Sequence, residues 1–101
     1  MPNIFVHLQT EQGDVVQGVD DHGVIAPLAN GVRGDRSFVC WRFIREYDNT
    51  YFSAPQMPDF IDELERLRPD ASAELQQALN EIRAAAERCE HENLYMVLVG
   101  D

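Results

Sequence analysis

Lysine is absent from the sequence, and the eight basic residues, all of them Arg, are outnumbered by eighteen Asp and Glu residues. The formal net charge is therefore -10 at pH 7. A protein that binds nucleic acid needs a basic surface to replace the counterions of the phosphates, and an anionic membrane attracts basic segments for the same reason. The charge balance thus argues against both nucleic acid and a membrane surface as partners.

Long apolar runs are absent as well. No stretch approaches the roughly 18 apolar residues of a membrane-spanning helix, and the N-terminal segment lacks the charged, apolar and small-residue zones of a secretory signal. These absences favour a cytoplasmic protein. The 101 residues provide one domain with a single core, and the apolar fraction of 45% is typical of a folded globular chain.

Residues that carry common chemistry are scarce. Cys40 and Cys89 fall on predicted buried stripes, so we expect free buried thiols, with a disulfide between them as the alternative. The three histidines are not spaced like zinc ligands. The sequence contains no phosphate-binding glycine loop, no nucleophile elbow and no HExxH motif. It therefore predicts no cofactor, no metal and no catalytic residue, and it gives no support for an enzyme.

Alternating apolar residues predict strands in the first half of the chain. Residues 4–10 and 15–19 are expected to form a hairpin, and residues 20–36, rich in turn residues without a sustained period, a long loop. Residues 37–44 are apolar on both faces, which predicts a central strand, and residues 50–53 are its expected partner.

The period changes to that of a helix in the second half. Residues 55–67 carry an apolar stripe with i, i+3, i+4 and i+7 spacing, and Pro58 suits a first helical turn. Pro69 interrupts the pattern, and a second helix is expected from Asp70 or Ser72 to about residue 90. Residues 94–99 are apolar, rich in strand formers and too short for a helix.

Together these elements predict a single α+β domain over residues 1–101. We expect a two-layer sandwich in the order β-β-β-β-α-α-β, with a mainly antiparallel sheet of about five strands and a helical hairpin on one face. The last strand is placed beside the first or the third. Since two strands are apolar on both sides, the second face needs a cover, supplied by the 20–36 loop, a second copy of the chain, or another partner.

The acidic residues predict a surface that attracts a basic partner, and nearby tyrosines would supply anchoring area. The alternative is a solvated acidic surface with tyrosines in ordinary sheet packing. The predicted partner-binding residues are Glu46, Tyr47, Asp48, Tyr51, Asp59, Asp62, Glu63 and Glu65.

Residues 42–52, 56–57 and 61–67 resemble a set of small, uncharacterised, acidic bacterial proteins of about the same length, as does the ending in Val99-Gly100-Asp101. The shared motif is structural. In size, acidity and α+β layout the chain is also similar to immunity proteins that neutralise bacterial toxins. That resemblance implies a cytoplasmic bacterial protein whose partner is a basic toxin.

The functional hypothesis is a non-enzymatic protein-binding module, most concretely an immunity or antitoxin-type protein that blocks a basic partner with its acidic surface. The alternative is a homodimeric small-ligand binder or enzyme, with a pocket between the sheet and the 20–36 loop lined by Trp41 and Arg42. A third possibility is an accessory subunit that assembles through a bare sheet face.

Overall fold

The computed structural model describes residues 3–100 of the chain. Within these residues there are four strands, β1 (Phe5–Gln9), β2 (Val15–Asp20), β3 (Asn49–Ser53) and β4 (Tyr95–Val99), and three α-helices, α1 (Ile25–Gly31), α2 (Met57–Leu67) and α3 (Gln76–His91). The predicted α+β class is confirmed, but the sheet of the described residues has four strands and not five. None of the helices in residues 3–100 has the length and apolar character needed to span a bilayer.

The four strands form one antiparallel sheet in the order β2-β1-β4-β3. The predicted hairpin of β1 and β2 is confirmed, and Gly13, with a φ of 90°, occupies its turn. The last strand lies beside the first, as expected, and also pairs with β3. The C-terminal strand is thus central, and it ties both ends of the described chain into the sheet.

The strand predicted over residues 37–44 is wrong. This segment is irregular and contains only a short 3-10 turn, Trp41–Phe43. Its backbone N–H groups bind the carboxylate of Glu63, which replaces the neighbouring strand that the prediction assumed. The expected partner strand at residues 50–53 does exist as β3, but it pairs with β4.

The 20–36 segment is not a structureless loop, because it contains α1. Buried Asp21 holds the start of this helix. Its Oδ1 accepts hydrogen bonds from the backbone N–H groups of Ile4 (2.7 Å) and Gly23 (2.9 Å), and its Oδ2 accepts one from that of Ile25 (2.9 Å). Pro27 lies in the first turn, where its missing N–H would have no intrahelical partner. One buried carboxylate thus joins the helix to the first strand.

All three helices pack on the same face of the sheet. The core they share includes Val6 and Leu8 of β1 and Leu98 of β4. Phe60 of α2 stacks on Trp41 (5.2 Å between ring centroids) and lies 5.6 Å from the ring of Phe52 in β3. The predicted helical hairpin on one face is confirmed. The idea that the 20–36 segment covers the second face is wrong, because α1 joins this same core.

Both cysteines are free and buried, as expected. Burial is the main reason that the pKa of Cys40 is raised to about 12 and that of Cys89 to about 11. Neither thiol is therefore prepared to act as a nucleophile at neutral pH.

Candidate functional site: the outer face of the sheet

The face of the sheet that points away from the helices is formed by alternate residues of β1, β3 and β4, and we call it the outer face. Its members are Phe5, His7, Gln9, Asn49, Tyr51, Ser53, Tyr95, Val97 and Val99. The strand register places Val97 between His7 on one side and Tyr51 on the other, so that the three form a row across three strands.

Large aromatic side chains surround a small apolar centre on the outer face. Tyr51 is 64% exposed, Phe5 46% and Tyr95 43%, whereas Val97 is only 2% exposed although it lies outside the helical core. Because no core residue covers Val97, we attribute its burial to the cross-strand neighbours in its row, His7 and Tyr51. The face therefore offers aromatic contact area that the fold itself does not use.

Acidic residues stand at two corners of the outer face. Asp20 of β2 is the cross-strand partner of Phe5. At the other side, the turn of residues 46–48 leads into β3 and is held against the end of β4. Gly100 donates its N–H to the carbonyl oxygen of Asp48 (3.2 Å), and a Cβ on this glycine would lie 2.5 Å from the carbonyl oxygen of Glu46. This close approach fixes the acidic turn at the margin of the face.

The four predicted site residues of the 46–51 segment lie together at this margin. Tyr51 is on the face itself, and Tyr47, in the turn, is the most exposed aromatic residue of residues 3–100. The side chain of Glu46 is half-buried and accepts a hydrogen bond from Asn30 Nδ2 (3.0 Å), while Asp48 is exposed.

The four predicted site residues of α2 do not join them. Asp59 and Asp62 are exposed, but they belong to a helix that packs on the opposite side of the sheet. The structure therefore divides the predicted surface into a tyrosine-rich part at the outer face and an acidic part on the helical layer.

The prediction that Glu63 belongs to the partner-binding surface is wrong, because its side chain is buried. Its two carboxylate oxygens accept hydrogen bonds from the backbone N–H groups of Val39 (2.7 Å), Cys40 (3.1 Å) and Trp41 (2.9 Å). Three consecutive N–H groups neutralise much of the cost of burying the charge. Glu63 thus fastens the irregular segment to α2 and is not accessible to a partner.

Glu65 is more than a third exposed, but its charge is already paired. Its carboxylate lies 2.8 Å from the guanidinium of Arg68 and 2.8 Å from that of Arg83. The hydrogen bond from Arg68, reinforced by Arg83, lowers the pKa of Glu65 to about 2. This residue links α2 to α3 and contributes little free negative charge to a partner surface.

Phe5 and Tyr95, which complete the aromatic part of the outer face, were not among the predicted site residues. The signal that identifies them is the alternation of β1 and β4, which places both on the side opposite the buried residues. The two residues lie on one continuous face because β4 pairs with β1 on one side and with β3 on the other.

The pocket predicted between the sheet and the 20–36 segment was expected to be lined by Trp41 and Arg42. Trp41 does not reach the surface, because it is fully buried and donates its Nε1–H to the carbonyl oxygen of Phe60 (3.1 Å). Arg42 does line an open depression of about 210 Å³ together with Arg33, Phe43 and Arg45. Residues 3–100 hold no group of three or more His, Cys, Asp or Glu side chains arranged around a possible metal ion.

Comparisons with models of protein families, with curated proteins and with solved structures found no match to this chain. The resemblance to small acidic bacterial proteins and to immunity proteins stays a prediction.

Proposed function

We propose that this protein is a non-enzymatic protein-binding module whose outer face docks on a basic partner protein. The most concrete version is an immunity or antitoxin-type protein that covers a basic site on its partner. The observation that carries the proposal is the outer face itself, where Phe5, Tyr51 and Tyr95 are substantially exposed around a buried Val97. Tyrosine is among the residue types that dominate binding energies at protein interfaces.

The size of the outer face requires that its margin also takes part. Three strands of about five residues give a face of roughly 10 Å by 16 Å, well below the ~800 Å² that each partner buries in a standard interface. The acidic turn at the margin, with Glu46, Tyr47 and Asp48, extends the contact area. The tyrosines would then be the anchors and the carboxylates the rim.

The negative charge of the chain favours binding of a basic partner over association with a second copy of the chain. Each copy carries a net charge of -10, and a symmetric dimer through the outer face would place the acidic margins of both copies in one interface. A basic partner gains from the same carboxylates, both in the rate of encounter and in orientation.

The test is capture of partners from an extract of the native host with the tagged, purified chain. We expect a basic protein that is retained at about 0.01 M salt and released at about 1 M, where the Debye length falls from roughly 30 Å to 3 Å. Tyr51→Ala should weaken binding of that protein about tenfold or more, whereas Phe43→Ala, an exposed aromatic outside the outer face, should change it less than twofold.

A matched pair of charge variants locates the surface. Glu46→Gln with Asp48→Asn removes two charges at the margin of the outer face, and Asp59→Asn with Asp62→Asn removes two from α2. The first pair should slow association more than the second. A partner that is insensitive to Tyr51→Ala and to the first pair but sensitive to the second would contradict docking at the outer face.

A further inference from the structure

Three arginines converge on one concave part of the surface. Arg33, Arg42 and Arg45 line the open depression of about 210 Å³ together with the exposed ring of Phe43. A second depression of about 250 Å³ shares Arg33 and Arg45 and adds Tyr47 to its lining, and there the carboxylates of Glu46 and Asp48 also contribute. In a chain with a net charge of -10, this is a local concentration of positive side chains beside two exposed aromatic rings.

These arginines are not neutralised by ion pairs within the described residues. The salt bridges of residues 3–100 are made by Arg68, Arg83 and Arg88, each with a glutamate on α2, on α3 or just after it. Two of the acidic groups near the arginine cluster have other hydrogen-bond partners. Asp35 accepts hydrogen bonds from Ser37, and Glu46 accepts one from Asn30.

The three arginines have different surroundings. Arg33 holds the segment in place, because its guanidinium donates to the carbonyl oxygens of Arg42 (3.3 Å) and Ile44 (2.8 Å). The guanidinium of Arg42 lies 4.9 Å from the centroid of the Phe43 ring, and its Nε is buried with no hydrogen-bond partner among the described residues. Arg45 is exposed.

An unpaired buried N–H on a charged group is unfavourable. A hydrogen-bond acceptor bound in the depression would therefore stabilise the Arg42 side chain. The acceptor that suits a guanidinium is an oxyanion, since the planar fork of donors matches the two oxygens of a carboxylate or phosphate. The exposed rings of Phe43 and Tyr47 add a flat apolar contact beside this fork.

We propose that the Arg33–Arg42–Arg45 cluster binds a small ligand that carries a carboxylate or a phosphate on an aromatic ring. The cavity volume admits a single ring with one anionic group, and the net charge of the chain disfavours polyanions. This inference does not rest on partner binding at the outer face.

The experiment is a titration of the full chain, followed by NMR at the backbone amides of residues 42–47 and at the arginine Nε–H groups. The probes are benzoate, phenyl phosphate and the neutral control benzamide. We expect saturable shifts with a dissociation constant on the order of 1 mM, an ordinary affinity for ligands of about ten non-hydrogen atoms. Saturation by benzoate alone identifies the carboxylate, and saturation by phenyl phosphate alone identifies the phosphate; either supports the proposal.

Single-residue variants distinguish binding at this site from a general effect of charge on the affinity. Arg42→Gln and Arg45→Gln should each weaken binding about fivefold or more, while Arg36→Gln, an exposed arginine of the same segment outside the depression, should change it less than twofold. Thermal unfolding verifies that each variant is folded, and exposed Arg45 carries the test if the Arg42 variant is not. Absence of saturation by both anions, equal binding of benzamide, or an equal effect of Arg36→Gln would overturn the proposal.

Discussion

At the scale of single residues, the neighbours of a carboxylate decide its role. Glu65 accepts hydrogen bonds from Arg68 and lies in contact with Arg83, so it joins two helices. Asp59 and Asp62, on the same helix, are exposed and form no ion pair within residues 3–100. One helix therefore carries both structural and solvated acids, and a sequence pattern of acidic residues does not distinguish them.

The pairing of Glu65 should make stability depend on pH in a defined window. Its pKa is lowered from 4.5 to about 2, chiefly by the hydrogen bond from Arg68. The stabilisation is therefore complete above about pH 4.5 and is lost as the pH falls toward 2. Since the side chain is more than a third exposed, we expect a contribution of about 1 kcal/mol or less.

The measurement is the free energy of unfolding of the wild type and of Glu65→Gln between pH 7 and pH 2. The difference between the two should be constant above pH 5 and should shrink toward pH 2. Glu87→Gln, which removes a longer ion pair of 3.6 Å to the same Arg83, serves as the control with a smaller effect. A difference that stays unchanged down to pH 2 would contradict the role assigned to Glu65.

At the scale of elements, the segment of residues 37–44 shows how a side chain can replace a strand partner. Phe38, Trp41 and Ile44 are buried, while its backbone N–H groups bind Glu63 of α2. The segment has the apolar content of a strand, but it is not part of the sheet. Its position depends on one carboxylate that is distant in sequence.

Replacing Glu63 with Gln should therefore destabilise the protein markedly. The amide would present N–H donors to backbone N–H groups that need acceptors, and we expect a loss of about 2 to 3 kcal/mol in the free energy of unfolding. The matched control is Asp62→Asn, one residue earlier and exposed, with an expected change within about 0.5 kcal/mol. Urea unfolding at constant m-value measures both. Equal, small changes in the two variants would show that Glu63 does not hold the segment.

An element can be predicted from the sequence when the residues that determine it lie within the element itself. The hairpin of β1 and β2 and the two long helices have periodic sequences, the last strand is a short apolar run, and each of these elements is predicted from its own residues. Helix α1 has only seven residues and depends on Asp21, whose carboxylate binds the backbone N–H groups of both Ile25 and Ile4. Such tertiary contacts leave no periodic trace in the sequence.

The candidate site was predictable only in part for the same reason. Tyr51 lies in a strand that the sequence predicts, and Tyr47 lies in the turn before it. Both were proposed as contact residues from their residue type and position, whereas their exposure is visible only in the structure. Glu63 was indistinguishable from its exposed neighbours, because its burial depends on a segment 22 to 24 residues away. Phe5 and Tyr95 joined the site once the pairing of β4 with both β1 and β3 was known.

At the scale of the whole molecule, the helical core and the proposed docking face lie on opposite sides of the sheet. All three helices and the core lie on one side of the sheet, and the opposite side presents aromatic residues with acids at its margin. A net charge of -10 extends the influence of these acids beyond contact distance at low ionic strength. These features support the proposal that the molecule attracts a basic partner through its field and holds it with its tyrosines.

The most direct test of this account is an NMR spectrum of the tyrosine rings, free and in complex with a captured partner. All three tyrosines, Tyr47, Tyr51 and Tyr95, lie on the outer face or in the turn at its margin, and buried Trp41 is an internal control. We predict large changes at the rings of Tyr51 and Tyr95 and no change at the Trp41 indole. A saturated complex in which both tyrosine rings are unchanged would contradict binding through the outer face.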